Sequence, residues 1–302
     1  MKSDLSIPTK ASPPSELRAV SSLAWRAFVQ AFRTNATAAV GAVLFMIIVV
    51  LAVAAPWIAP YDPISQDMIV RMEGPSMAHW LGTDYFGRDT LSRLLYGARY
   101  SLVIGLLSIV IAVAVGTVIG LTAGYFGGRL DIVIMQVMDV VLAFPALILG
   151  LILVAMLGPT MMNIVFAIAF TAIPPFARIA RAPVIALRER EFVQAGKALG
   201  FSNLRIMFRH LLPNILPDIL VMASLWMATA VRTEASLAFI GLGIAPPTPT
   251  WGGMVREGFE NILDNPSLAI FPSLAVLILV LALNLLGDGL RDAIDPKLRT
   301  EP

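Results

Sequence analysis

The chain has 302 residues, of which 58% are hydrophobic and 14% are charged, whereas soluble domains carry about 25% charged residues. This composition excludes an ordinary soluble protein and indicates lipid as the solvent. The net charge of +2 is too small to suggest a nucleic-acid partner. Because cysteine is absent, disulfides, thiolate metal sites and cysteine nucleophiles are excluded.

Residues 1–36 form a polar N-terminal segment without the short apolar core and cleavage site of a signal peptide. Between Glu16 and Arg33, apolar residues recur at helical spacing, which is consistent with a helix lying in the membrane interface. A disordered basic tail fits the same residues equally well, and both interpretations stay open.

Six stretches approach the length of about 20 mostly apolar residues that a membrane span needs. They cover residues 37–59, 102–126, 132–157, 161–176, 215–231 and 268–286. The fourth stretch ends at Pro174 and Pro175, and the third contains Asp139. Asp139 is expected near the membrane interface, because a charge at a helix centre costs about 2.5–3.5 kcal/mol. We therefore predict an all-α integral membrane protein of about six transmembrane helices.

The distribution of Lys and Arg predicts the orientation of these spans. With a cytoplasmic N-terminus, sixteen of the 22 basic residues fall inside and five outside, with Arg232 at a boundary. Both termini are therefore expected in the cytoplasm. The predicted organisation is a cytoplasmic segment 1–36, a first span 37–59, an outer segment 60–101, a core of five spans 102–290 and a cytoplasmic tail 291–302.

A stripe of glycines repeats every four residues in and after the second span, at Gly116, Gly120, Gly124 and Gly128. Small residues at this spacing let another helix approach closely in a membrane. We favour a partner helix of the same subunit, and a contact with a second subunit is the alternative.

The cytoplasmic loop between the fourth and fifth spans carries the strongest functional pattern. It predicts a short helix from Glu191 to Gly200, a turn at Ser202 and Asn203, and a second helix broken by Pro213. A short helix held outside the bilayer can transmit movement from a soluble partner, and its small residues would let that partner approach the backbone. A basic loop lying on lipid headgroups is the alternative. The small residues are Ala195, Gly196, Ala198 and Gly200.

This loop, 189–214, resembles the EAA loop of ABC-importer permeases, whose pattern is Glu-Ala-Ala, three residues, Gly, nine residues, Ile, one residue and Leu-Pro. Gln194-Ala195-Gly196, Gly200, His210 and Leu212-Pro213 stand at those positions, and Gln194, Gly196 and His210 differ in identity. The resemblance implies a docking loop for an ATPase subunit. Its implied contact residues are Glu191, Gln194, Ala195, Gly196, Ala198, Leu199, Gly200, Leu212 and Pro213.

Residues 82–99, 233–252 and 284–296 are similar to segments of the dipeptide, oligopeptide and nickel permeases. Together with the loop, they make the chain resemble the second permease subunit of that importer family, with the dipeptide permease as the nearest resemblance. The implied fold is a type I ABC-importer permease bundle with a cytoplasmic coupling loop, in the inner membrane of a bacterium.

The resemblance implies that a homologous first permease subunit completes the translocation pathway. It also implies two ATPase subunits, which hold ATP and magnesium, and a periplasmic or lipid-anchored substrate-binding protein; this chain itself binds no cofactor. The expected cargo is a dipeptide or short oligopeptide, although nickel chelates, glutathione and haem use similar permeases. Trp251 is expected either to contact the binding protein or to belong to the outer aromatic belt.

Other function classes lack the residues that they need. The sequence has no phosphate-binding loop and no His-Glu-x-x-His motif, and His79 and His210 are expected on opposite membrane sides. An enzyme is therefore not expected. The second candidate is a secondary transporter driven by an ion gradient, which would need charged or unwound midplane sites and an internal repeat. The sequence contains no convincing repeat.

Overall fold

In a computed structural model of the protein, residues 36–294 are described, and most of them are helical. The N-terminal segment with its predicted interfacial helix, and the last residues of the tail, lie outside the described residues. A segment with a single 3₁₀ turn, Met68–Val70, connects α1 to α2. The helices are α1 (Ala36–Ile58), α2 (Thr90–Phe126), α3 (Gly128–Leu142), α4 (Ala146–Leu157), α5 (Met161–Leu187), α6 (Glu191–Ala198), α7 (Asn203–Leu242), α8 (Trp251–Glu260) and α9 (Ser267–Ile294).

Five of these helices, α1, α2, α5, α7 and α9, are long and apolar enough to cross a membrane. The pair α3 and α4 meets the same criterion together, but it is bent by 85°. The all-α membrane bundle predicted from the sequence is confirmed, and the stretch predicted as a span over 132–157 consists of two helices with a sharp bend between them. The cause is Pro145, which has a ψ of 126° and lacks the N–H that would continue the helix.

Three other prolines end no helix, contrary to prediction. Helix α5 continues through Pro174 and Pro175 to Leu187, because its small buried residues pack along α2 over this stretch. Helix α7 likewise passes through Pro213. That proline follows the π-helical turn Ile206–Leu211, where the wider turn leaves room for the ring and the missing N–H.

Three of the four glycines of the stripe lie in α2 and pack against α5 of the same subunit, as favoured from the sequence, whereas Gly128 begins α3 and a methyl group there would have no neighbour within 4 Å. A methyl group on Gly116 would lie 2.7 Å from the Ile173 carbonyl oxygen, and one on Gly124 would lie 2.9 Å from Val184. Gly120 is tighter still, against the carbonyl of Ala177. The two helices therefore meet backbone to backbone, and this contact fixes the relative positions of their ends.

Helix α2 has 37 residues and is about 55 Å long, which exceeds the ~30 Å hydrocarbon core of a bilayer. Asp89 caps its first turn by accepting a hydrogen bond from Ser92 N at 2.8 Å. Gly127, with a φ of 65°, ends the helix. We call the end at Phe126 the loop end, because residues 188–211 pack there, and the end at Thr90 the far end.

Candidate functional site

The short helix α6 is bounded by residues whose chemistry specifies its limits. Glu191 lies in its first turn and Lys197 in its last, where each charge complements the helix dipole. Gly200 follows with a φ of 75°, a conformation that glycine adopts without strain. Ser202 then caps α7, its hydroxyl accepting from Arg205 N. The helix, its stop and the following turn thus match the prediction.

One face of α6 packs inside the protein. Val193 and Gly196 are buried, and a methyl group on Gly196 would lie 3.2 Å from the Phe201 ring. Gly196 therefore gives space to a residue of the same loop, which corrects its predicted role in the contact with a partner. Val193 and Ile206 belong to the same apolar core as Phe176.

The other face of α6 is open, and most of the predicted docking residues lie there. Leu199 is 73% exposed and Phe192 is 43% exposed. Leu212 is half-buried against the core of the bundle, so it supports the loop rather than offering a surface. Of the predicted docking residues, the exposed ones are Glu191, Gln194, Ala195, Ala198, Leu199, Gly200 and Pro213.

A hydrogen bond of Gln194 accounts for the glutamine at a position where the EAA pattern has glutamate. Its side-chain amide donates to the carbonyl oxygen of Arg188 at 3.1 Å, which joins α6 to the end of α5. An ionised glutamate at this position has no hydrogen to donate. The glutamine is therefore used here as a donor within the loop.

Exposed apolar residues near α6 were missed by the sequence reasoning. Leu204 and Phe208 stand one turn apart at the start of α7, with exposed fractions of 66% and 43%. Large apolar groups exposed beside charged residues mark interaction surfaces. Phe192 was missed as well. For this residue the sequence did carry a signal, because its spacing from Ala195 and Leu199 puts all three on one face of a helix. We call Phe192, Leu199, Leu204 and Phe208 the loop surface.

The loop is fixed to the loop end of α2 by polar contacts. The Tyr125 hydroxyl donates to Asn203 Oδ1 at 2.9 Å, and Arg188 Nη1 donates to the Gly124 carbonyl oxygen at 2.9 Å. Lys197 Nζ lies 5.5 Å from the centre of the Tyr125 ring, within the range of a cation–π interaction. The segments on both sides of α6, and Lys197 on α6 itself, therefore contact the loop end of α2.

Two ion pairs also connect α3 to α5. Asp131 accepts two hydrogen bonds from Arg181, at 2.5 and 2.6 Å, a bidentate geometry that fixes orientation. Asp139 pairs with Arg178, and both side chains are more than half exposed. These ion pairs hold the bent pair of helices to α5, and the C-terminal end of α5 leads into the loop.

Trp251 stands at the far end, and the structure contradicts both roles expected for it. Its side chain is only 3% exposed, and its indole N–H donates to the Leu94 carbonyl oxygen at 2.8 Å. The ring packs on Gly97, where a methyl group would lie 3.0 Å from Trp251 Cδ1. Trp251 joins α8 to α2 and offers no surface to a partner or to the membrane interface. Its position after a Pro-rich run gave no signal of this burial.

Residues 36–294 offer no visible metal site. No group of three or more His, Asp or Glu side chains there could hold a metal ion. What the geometry provides is mechanical: an apolar surface on and beside a short helix, with the residues that flank this helix, Arg188 and Asn203, hydrogen-bonded to a long membrane helix.

Comparisons with known proteins agree with this architecture. Residues 116–300 match the family described as "Binding-protein-dependent transport system inner membrane component". Residues 24–75 match the "N-terminal TM domain of oligopeptide transport permease C". The structure resembles the permease fold of the MetNI methionine ABC transporter, with a TM-score of 0.55 and 19% identity over 67% of this chain and 97% of that one.

Two relatives match nearly the whole sequence. The dipeptide transport system permease protein DppC of Alkalihalophilus pseudofirmus is 40% identical over 98% of this chain and 97% of its own length. The glutathione transport system permease protein GsiD of Pectobacterium atrosepticum is 42% identical over 91% of this chain and 92% of its own. The chain therefore belongs to the binding-protein-dependent inner membrane component family, as a permease subunit of a bacterial ABC importer of the dipeptide and oligopeptide type.

Proposed function

We propose that this chain and a homologous first permease subunit form the pathway through which dipeptides or short oligopeptides enter a bacterial cell. The observation that carries the proposal is the loop surface, an exposed apolar surface anchored to the loop end of a 37-residue helix. The 40% identity to a dipeptide permease over almost the whole chain supports the choice of cargo.

The proposed partners follow from the two ends of the bundle. Two ATPase subunits, which hold the ATP and magnesium, dock on the loop surface; this chain holds neither. A periplasmic or lipid-anchored substrate-binding protein docks at the far end. The excess of basic residues at the loop end supports a cytoplasmic position for that end and for both termini.

The proposed mechanism is a two-state movement. When the ATPases close on ATP, they displace α6, and the contacts of Tyr125 and Arg188 pass the displacement to α2. Because α2 and α5 meet backbone to backbone along the glycine stripe, they move as one body. ATP then shifts the equilibrium between inward-open and outward-open states, since it favours one of them. No catalytic step falls to this chain.

Glutathione is a second candidate cargo, because a relative at 42% identity is a glutathione permease. Glutathione is itself a small peptide, so the two candidates share a size and a backbone chemistry. Competition for uptake between a labelled dipeptide and unlabelled glutathione separates them.

Reconstitution tests the function. The chain is placed in liposomes with its partner permease and ATPases, and uptake of a labelled dipeptide is followed with and without ATP and binding protein. We expect uptake only when both are present. Uptake by this chain alone, driven by a proton or sodium gradient and indifferent to ATP, would show a secondary transporter instead.

A further inference from the structure

Two arginines of the far end are almost completely buried. Arg88 and Arg93 are each 2% exposed, and both donate to Glu257 on α8, at 2.9 and 2.8 Å. Arg88 Nε also pairs with Asp84 at 2.6 Å, and Arg93 Nε lies 3.4 Å from the same carboxylate. We call these four residues the far-end cluster; its two positive and two negative charges balance.

The cluster leaves polar atoms without partners. Arg93 Nη1 is buried and has no hydrogen-bond acceptor, although its other terminal nitrogen is paired. Thr90 Oγ1, three residues earlier on α2, is also buried and unpaired. Native proteins pair nearly all such groups, because an unpaired buried donor destabilises the fold. These two residues are therefore incompletely satisfied by the described chain.

Both residues line a cavity of about 290 Å³ between the start of α2 and α8. Its wall also carries the carboxylates of Asp84, Glu257 and Glu260. Volumes of roughly 300–1,000 Å³ are usual for small-molecule sites, so this cavity lies at the lower limit of that range, and one protruding side chain or a turn of backbone fits within it.

The charges of the wall select the chemistry of the occupant. A carboxylate would gain no free counter-charge, because Asp84 and Glu257 already pair with the two arginines and Glu260 pairs with Arg256. A cation would leave Arg93 Nη1 unpaired. An uncharged amide meets both conditions, because its carbonyl oxygen can accept from Arg93 and Thr90 while its N–H can donate to Glu257 or Glu260.

We propose that this cavity binds an amide group on a loop of the substrate-binding protein, as an Asn or Gln side chain or a stretch of backbone. The inference rests on the proposed function, which assigns the binding protein to the far end. A free dipeptide fits less well, because the charges of the wall are already paired with one another and neither charged end of the dipeptide would gain a counter-charge there. The half-exposed rings of Tyr85 and Phe86 line the same cavity and give the loop an apolar border.

Removal of the unpaired Thr90 hydroxyl tests the proposal. Thr90→Val is nearly isosteric and breaks no hydrogen bond within the described chain, so the melting temperature should not fall. The affinity of the cognate binding protein for the complete importer in nanodiscs should weaken about three- to tenfold, as expected for one hydrogen bond. Thr90→Ser, which keeps the hydroxyl, should bind like the wild type.

Thr117→Val is the matched control, because Thr117 Oγ1 is also buried and unpaired on α2 but is distant from the cavity. It should leave the affinity unchanged. Equal affinity for wild type and Thr90→Val would overturn the inference. Binding of free dipeptide that is lost in Thr90→Val, with no binding protein present, would overturn the assigned source of the amide. A wild-type importer that transports without any binding protein would instead overturn the proposed function.

Discussion

The two ends of α2 differ in what they bury and what they expose. At the far end, arginines and carboxylates are buried in a charge-balanced cluster that joins the α1–α2 segment to α8. At the loop end, charged residues surround exposed apolar side chains, and the buried contacts are mainly apolar. The far end thus holds three parts of one chain together, whereas the loop end is anchored to α2 but presents its outer face.

This difference indicates which end of α2 a partner can displace more easily. A buried ion cluster depends strongly on geometry, because separating its partners leaves uncompensated charge. An apolar surface on a short helix can be pushed without separating charges. The long helix between them carries the movement, so a substitution should have different consequences at the middle and at each end.

The largest effect is expected at the centre of α2. Gly120→Ala places a methyl group against the Ala177 carbonyl, and we expect a loss of stability at or above the roughly 1–3 kcal/mol of an overpacked core. The melting temperature in detergent measures it. Val118→Ile adds one methyl group at a 44% exposed position two residues away and should change little. A normal melting temperature for Gly120→Ala would show that α2 and α5 can separate freely.

The next effect is expected in the far-end cluster. Glu257→Gln removes the charge that both buried arginines share, and because Glu257 is 31% exposed we expect a cost of about 2 kcal/mol rather than the roughly 3–5 kcal/mol of a fully buried pair. Glu260→Gln is the control, because its partner Arg256 is exposed; its effect should stay below about 0.5 kcal/mol. Similar melting temperatures for the two variants would contradict the structural role of the cluster.

At the loop surface the expected effect is on assembly and not on stability. Leu199→Asp puts a charge at the centre of an apolar contact, and co-purification with the ATPases should weaken about 30-fold, the loss of an interface residue that contributes about 2 kcal/mol. The same substitution at Leu263, which is 97% exposed beyond α8, should leave ATPase association intact. Full assembly of the Leu199→Asp protein would place the docking surface elsewhere.

The smallest effect is expected for the link between loop and helix. Tyr125→Phe removes the hydrogen bond to Asn203 and should cost about 1 kcal/mol, while lowering the number of substrates carried per ATP hydrolysed. Tyr61→Phe removes a bond of similar length, from the Tyr61 hydroxyl to the Ala78 carbonyl oxygen at 3.0 Å, and should leave that ratio unchanged. An unchanged ratio in both variants would exclude Tyr125 from the coupling.

Local chemistry made parts of this structure predictable. The stop of α6 follows from Gly200, and the start of α7 follows from the capping hydroxyl of Ser202, since both are decided within a few residues. The glycine stripe similarly indicated a close helix contact, although the identity of its partner needed the fold. Hydropathy located the spans because their length is set by the bilayer.

Long-range packing decided what the sequence could not predict. Pro174 and Pro175 predict a helix end on local grounds, but contact with α2 keeps α5 helical through both. Trp251 and Gly196 were expected at surfaces, but both are buried. Trp251 fills space against α2, and Gly196 leaves space for a neighbouring ring. Their partners, Gly97 for the first and Phe201 for the second, are not identifiable from the pattern of either residue alone.

The most direct test of this account is labelling of single cysteines with a membrane-impermeant maleimide, which is clean because the chain has no cysteine. Cysteine replaces Leu263 or Leu199, and labelling is compared in intact cells and in inside-out vesicles with and without bound ATPases. We expect Leu263→Cys to react in intact cells, and Leu199→Cys to react only in inside-out vesicles stripped of ATPases. Reaction of Leu199→Cys in intact cells, or equal reaction with and without ATPases, would contradict the account.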